Sequence, residues 1–179
     1  MPDRTLPALL ERLGQIGIAR FTGSQSISLT SAPTHDSRHV APGGIFVAIR
    51  GFRTDGAAYA AEAVEHGAAL LVAERDLHAA VPTVVVSDTR RALAELAAWW
   101  EGDPAESLLT IGVTGTDGKT TTSTLLATAL TAVGLPSGLL TTAITRVGGI
   151  EAVVDGSHTT PEAPELQHLL RRIASSGDK

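Results

Sequence analysis

Leu6, Leu9, Leu10 and Leu13 recur at helical spacing, and Gly14 closes the run. From Ser24 to Ser37 the chain is rich in Ser, Thr and Pro, with Ile27 and Leu29 alternating. This predicts a short strand and then a loop, PTHDSRHVAPGG. IFVAI (Ile45–Ile49) is a compact β run. Asp55 is placed to cap a helix over GAAYAAEAVEHG, where Ala60, Ala63, Val64 and Gly67 share one face and Gly67 stands at the C′ position. LLVAE (Leu70–Glu74) and TVVVSD (Thr83–Asp88) predict two further apolar strands. Ser87 or Asp88 caps the next helix, in which Leu93, Leu96, Ala97 and Trp100 follow i, i+3, i+4, i+7. EGDP (Glu101–Pro104) ends it with both helix breakers.

Strands alternating with helices are the signature of an α/β domain, and the Gly-Asp-Pro stop is the expected boundary. The expected domains are therefore 1–104 and 105–179. In the second, LLTIGV (Leu108–Val113) predicts a strand and Lys119–Val133 a helix ended by Gly134. Ser137–Thr145 predicts another strand, and RVGGIEAVV a turn into an added β segment. A last helix carries Leu166, Leu169, Leu170 and Ile173, with Gly177 after it.

The 179 residues suffice for one full domain, or for a small domain plus part of another. Aromatics make up 3%, so the core must rest on Ala, Val, Leu and Ile. A net charge of −5, with no run of more than two basic residues, argues against a nucleic-acid partner. No cysteine is present, which excludes disulfides and thiolate metal sites. The N-terminus interrupts its leucines with Asp3, Arg4, Glu11 and Arg12, unlike a signal peptide. The longest apolar stretch, Gly67–Ala73, is far short of a membrane span. The expectation is a cytoplasmic protein with no membrane partner.

IGVTGTDGKTTT (Ile111–Thr122) sets a β run against a Gly-Lys-Thr turn and a string of threonines. Threonine is a mediocre helix former. Its hydroxyls have a use here if the turn is a phosphate loop. Gly115 and Gly118 let the backbone turn tightly and point amides into one concavity, and the following helix adds its positive end. Lys119 would reach the β- and γ-phosphates, and Thr120 would supply a hydroxyl to Mg²⁺. The common spacing G-x-x-x-x-G-K-[ST] needs glycine at Val113. The chain fits the shorter G-x-x-G-K-T, and an ordinary strand-to-helix turn is the alternative.

GVTGTDGKTTT resembles the ATP loop of the Mur ligases, with Asp117 where Asn is commoner. DSRHVAPGGIFVAIRGFRTDGAAYAAEAVEHGAALLVAE (Asp36–Glu74) resembles the N-terminal domain of the members that add the third residue of the peptidoglycan stem peptide. DGSHTTPEAPELQ (Asp155–Gln167) resembles their muramoyl-contacting segment. The resemblance implies a small N-terminal UDP-binding α/β domain, followed by the truncated start of a P-loop, parallel-sheet ATP-binding domain. It implies ATP and Mg²⁺ as cofactors. It also implies UDP-N-acetylmuramoyl-L-alanyl-D-glutamate as one partner, and meso-diaminopimelate or L-lysine, held by a missing C-terminal domain, as another.

Carried over by motif, Gly115, Thr116, Asp117, Gly118, Lys119, Thr120 and Thr121 would hold ATP, with Lys119 and Thr120 catalytic and Thr120 on the metal. His35 and Ser37 would face uracil and ribose, and Phe52, Arg53 and Thr54 would line the same pocket. For Asp36 and Ser37 the competing reading is a turn that merely closes a loop. His158, Thr159 and Thr160 would meet the muramoyl dipeptide, although His158 stands where asparagine is common. Thr160 also suits an N-cap and Pro161 a first helical residue, and both roles are compatible. His39, His66, His78 and His168 show no ligand spacing. The acids of AEAVEHG read as a solvated helix face, and Trp99 and Trp100 as a packing seam.

The implied reaction phosphorylates the free glutamate carboxylate, and the incoming amine displaces phosphate from the acyl phosphate. Catalysis would be positioning and charge neutralisation. The family's acidic metal ligand, its carbamylated lysine and its amino-acid-binding domain lie beyond these residues. The expectation is a fragment of a longer ligase, inactive alone. The alternatives are the sister ligase that adds D-Ala-D-Ala, a non-catalytic nucleotide-sugar binding module, and a generic P-loop NTPase.

Overall fold

The computed structural model describes residues 4–23, 26–51, 54–154 and 161–178. The chain forms two compact units, Met1–Gly102 and Asp103–Lys179.

The first unit is built on a five-stranded sheet of order β1-β5-β4-β3-β2. Its strands are β1 (Ile18–Thr22), β2 (Pro33–Thr34), β3 (Gly44–Val47), β4 (Ala68–Ala73) and β5 (Thr83–Val86). Strands β2 to β5 run parallel, and β1 pairs antiparallel with β5 at one edge. Helices α1 (Leu6–Gly14) and α3 (Thr89–Glu101) pack together, and α3 lies against β2, β3 and β4. Helix α2 (Ala60–Glu65) packs on the sheet with Phe46, Ala48, Leu71 and Ala73 beneath it. Side chains alternate across a strand, so Ile45, Val47, Leu70 and Val72 face the other side. Both faces are covered. That is why β3, β4 and β5 read as unbroken apolar runs rather than as alternation.

Local signals act as the sequence predicts in this unit. Asp88 caps α3 by accepting from the Arg90 and Arg91 amides at 2.9 and 3.0 Å. Asp55 accepts from the Ala57 amide at 3.0 Å, opening a 3-10 turn that runs into α2. Gly67 ends α2 with φ +99°, and a Cβ there would sit 2.9 Å from Pro42 Cα. Trp99 and Trp100 are buried, edge to face, with the Arg4 guanidinium 4.1 Å from the Trp100 ring centre. They are the expected packing seam.

Two expectations are corrected. No strand forms around Ile27 and Leu29. The strand is β2, inside the stretch predicted as loop, because the edge of β3 selects which residues pair. β1 lies where no element is predicted: Arg20 interrupts its apolar Ile18, Ala19 and Phe21, because an edge strand tolerates charge.

The second unit holds α4 (Lys119–Ala132), α5 (Ala163–Ser176) and a three-stranded antiparallel sheet, β6-β7-β8. The predicted strand Ser137–Thr145 is split into β6 (Leu139–Leu140) and the start of β7 (Ile144–Val147). A turn held by Thr141, which bonds Ile144 in both directions, divides it. β8 (Ile150–Val153) is the predicted added segment. Leu108–Val113 forms no strand, because no described strand lies alongside to complete a ladder. Its Leu109 and Ile111 are 78% and 53% exposed.

Two contacts show how closely this unit packs around α5. A Cβ at Gly138 would lie 2.5 Å from Ile173 Cδ1, so β6 meets α5 through a missing side chain. Asp178 is buried; its carboxylate accepts from the Gly148 amide at 2.8 Å and the Ser176 hydroxyl at 3.0 Å. Among the described residues, no helix is long and apolar enough to cross a membrane.

Candidate functional site

Gly118 sits at the N-cap of α4 with φ +78°, ψ −1°, a left-handed conformation that favours glycine. Gly115 has φ +153°. The first helical bond there runs from the Thr122 amide to Gly118 O at 2.8 Å. The amides of Lys119, Thr120 and Thr121 therefore precede the helical ladder, and no side chain caps that end. The α4 N-terminus is a cluster of donors at the positive end of a 14-residue helix.

Lys119 curls back over the loop. Its Nζ donates to Gly115 O at 2.6 Å and Thr116 O at 3.0 Å. Thr114 to Lys119 are exposed and Thr120 is half-buried. An ammonium held only by exposed carbonyls can turn to an incoming anion without loss of a buried partner. The donor set fits a polyphosphate: a helix end without a side-chain cap, an exposed cation and hydroxyls. No described cluster of three or more His, Asp or Glu could hold a metal by itself. A cation here would need the Thr120 hydroxyl together with phosphate oxygens.

The second set of candidates lies in the first unit. Because β2 and β3 are parallel, the segments that follow them leave the sheet at the same edge. His35 and Ser37 follow β2; Thr54 follows β3. This is the edge where open α/β sheets commonly bind ligands. His35 and Thr54 are exposed, and Thr54 O accepts from the Gly51 amide at 3.0 Å in a loop closed by the Arg50–Asp55 bridge. Phe52 and Arg53 lie outside the described residues.

Asp36 and Ser37 open a 3-10 turn, Ser37–His39. The Asp36 carboxylate accepts from the Arg38 amide at 3.0 Å and pairs with its guanidinium at 2.6 Å. That guanidinium holds the Asp36 carboxyl well below the usual carboxylate range. The Asp55 carboxyl is lowered too, first by the Ala57 amide and then by Arg75, 2.8 Å away. Asp36 thus does close a turn, as its local chemistry allowed.

Ser37 is buried and held from α2. Its Oγ donates to Glu62 Oε2 at 2.6 Å, and its carbonyl lies 2.8 Å from His66 Nδ1. Glu62 corrects an expectation: it is half-buried and bonded, while Glu65 keeps the solvated role. The sequence signal for Glu62 was slight, because its partner is 25 residues away.

His158, Thr159 and Thr160 lie outside the described residues. The helix beyond them corrects the capping expectation. The N-cap position of α5 is Glu162, and Pro164 rather than Pro161 occupies its first turn. Proline suits that turn because its missing N–H is not needed there.

Residues 32–100 match the Mur ligase family catalytic domain, and residues 113–179 match the Mur ligase middle domain. The chain belongs to the Mur ligase family. The Gly-Lys-Thr loop falls in the middle-domain match, and Ser37 and Thr54 in the other. UDP-N-acetylmuramyl-tripeptide synthetase of Roseiflexus sp. (strain RS-1) is 48% identical over 80% of this chain and 29% of its own length. UDP-N-acetylmuramoyl-L-alanyl-D-glutamate--2,6-diaminopimelate ligase of Geobacillus thermodenitrificans is 40% identical over 96% of this chain and 34% of its own. Among solved structures, MurF from Acinetobacter baumannii superposes with TM-score 0.60 at 26% identity, covering 94% of this chain and 32% of that one. The chain thus spans about a third of the length of the Mur ligases it matches.

Proposed function

We propose that this chain is the substrate- and ATP-binding part of a Mur ligase that joins the third amino acid to UDP-N-acetylmuramoyl-L-alanyl-D-glutamate. The first unit holds the uridine diphosphate end; the second begins the ATP-binding domain. The observation that carries the reading is the α4 N-terminus, with Gly118 left-handed and Lys119 Nζ turned over the loop.

ATP, held by the Gly115–Thr121 loop, would supply the phosphoryl group, and Mg²⁺ would supply charge neutralisation there. Gly115 to Thr121 present amides to the phosphate oxygens. Lys119, now on the Gly115 and Thr116 carbonyls, would neutralise charge on the phosphates. Thr120 offers its hydroxyl to the metal. The amino end of α4 adds a fixed positive field. In the first unit, His35, Ser37 and Thr54 lie at one sheet edge to meet the nucleoside, with Phe52 and Arg53 completing the pocket, and His158, Thr159 and Thr160 meet the muramoyl dipeptide.

The third-residue reading is preferred over the D-Ala-D-Ala ligase on identity. The two sequence relatives at 48% and 40% identity both carry names that describe tripeptide-forming enzymes. The incoming amino acid is meso-diaminopimelate or L-lysine, and the compartment is the cytoplasm, where ATP is available.

Isothermal titration of the chain with Mg·ATP, and separately with UDP-muramoyl dipeptide, tests the reading. Both ligands should bind, and Lys119→Met should weaken only ATP. Binding of the uridine ligand alone would leave a nucleotide-sugar module instead.

A further inference from the structure

Ser37 has one hydroxyl proton, and that proton is already committed. Its Oγ lies 2.6 Å from Glu62 Oε2. An ionised carboxylate only accepts, so Ser37 must be the donor. Whatever else meets that oxygen therefore meets lone pairs. Two further contacts hold the backbone of this turn, and burial limits other acceptors for the hydroxyl. His66, at the C-cap of α2, lies 2.8 Å from the Ser37 carbonyl. Asp36 caps the same turn through the Arg38 amide. Ser37 itself is 6% exposed, which leaves water little room to replace Glu62 as acceptor.

We infer that Glu62 is a specificity-determining residue: by taking the Ser37 proton it fixes that oxygen as an acceptor, and so selects a base presenting N–H over one presenting a lone pair. Uracil carries a proton on N3; cytosine does not. The inference rests on the reading that Ser37 meets the base. Glu62 acts through Ser37 and is a positioning residue rather than a catalytic one.

The test titrates the 179-residue chain with UDP and with CDP. The wild-type chain should prefer UDP by roughly tenfold, the ratio set by one mismatched buried hydrogen bond. Glu62→Met keeps the bulk and removes the acceptor, freeing Ser37 to donate to cytosine N3. The preference should fall to about threefold or less. Ser37→Ala separates two failures. If it leaves UDP affinity unchanged, Ser37 does not meet the base and the site reading fails. If it weakens UDP while Glu62→Met keeps the wild-type ratio, the site reading stands and the Glu62 inference is overturned. Equal affinity of the wild-type chain for UDP and CDP overturns it too. Should Glu62→Met fail to fold, Glu62→Leu is read instead. It too has no acceptor for the Ser37 proton, so the preference should again fall to about threefold or less, and an unchanged ratio overturns the inference.

Discussion

The two units differ in how they hold themselves together. In the first, Phe46, Leu9, Leu13, Ile45, Leu70 and Leu71 are fully buried, and both faces of the sheet are covered by helices. In the second, the buried apolar residues among those described are Ala127, Leu139 and Ile173, while Leu109, Leu125, Val133, Ile150 and Val153 stand exposed. Yet the second unit carries the candidate phosphate loop. A closed core is therefore not what shapes that loop. Gly115, Gly118, Lys119 and the start of α4 are contiguous in sequence, so short-range geometry shapes it. The first-unit candidates come from separate segments placed by β2 pairing with β3 and by α2 holding Ser37, so they depend on the tertiary fold.

The sharpest way to break this contrast is to cut into each core. Phe46→Ala should cost about 3–5 kcal/mol in urea denaturation. Both tryptophans, Trp99 and Trp100, lie in the first unit, so their fluorescence reports that unit. Leu139→Ala should leave the fluorescence transition in place; a shift equal to that of Phe46→Ala would abolish the distinction between the units.

Next in size is the loop. Lys119→Ala should weaken Mg·ATP about tenfold to a hundredfold, the scale of a charged hydrogen bond. The fluorescence transition should move by less than about 0.5 kcal/mol, because the side chain is exposed. Gly138→Ala forces a Cβ against Ile173 and should destabilise the second unit by about 1–3 kcal/mol, read as faster amide exchange in β6 and α5. Asp88→Ala removes the α3 cap and should cost the first unit about 1 kcal/mol.

The smallest effect is in pH. Asp36 has its folded pKa depressed by Arg38, so its contribution is fully present above the unfolded value, about 4, and is lost as pH falls below it. Asp36→Asn should flatten that part of the acid limb of the fluorescence-monitored stability curve. An unchanged acid limb would show that the pair adds nothing to folding.

What could be read from the chain follows the same division. Helices with local signals were legible at those signals: the Asp88 cap of α3, the α2 face ending at Gly67, and the Gly177 stop of α5, though not the start of α5. Strands buried on both faces were legible as apolar runs. β1 was not, because Ala19 and Arg20 break its pattern and only the edge of β5 makes it a strand. Leu108–Val113 has strand composition, but a strand is a pairing and these residues find none among those described. The glycine turn into α4 was legible because its parts are adjacent. The Glu62–Ser37–His66 contacts were not, because no spacing rule links a helix to a turn in an earlier part of the chain.

The central claim is that the Val113–Thr121 bend receives a polyphosphate. A ¹⁵N NMR titration of the chain with Mg·ATP, with adenosine as control, tests it most directly. The account predicts saturable shifts at the Gly115, Gly118, Lys119, Thr120 and Thr121 amides with Mg·ATP and none with adenosine. Loop amides that stay still at saturating Mg·ATP, or that shift equally with adenosine, would contradict it.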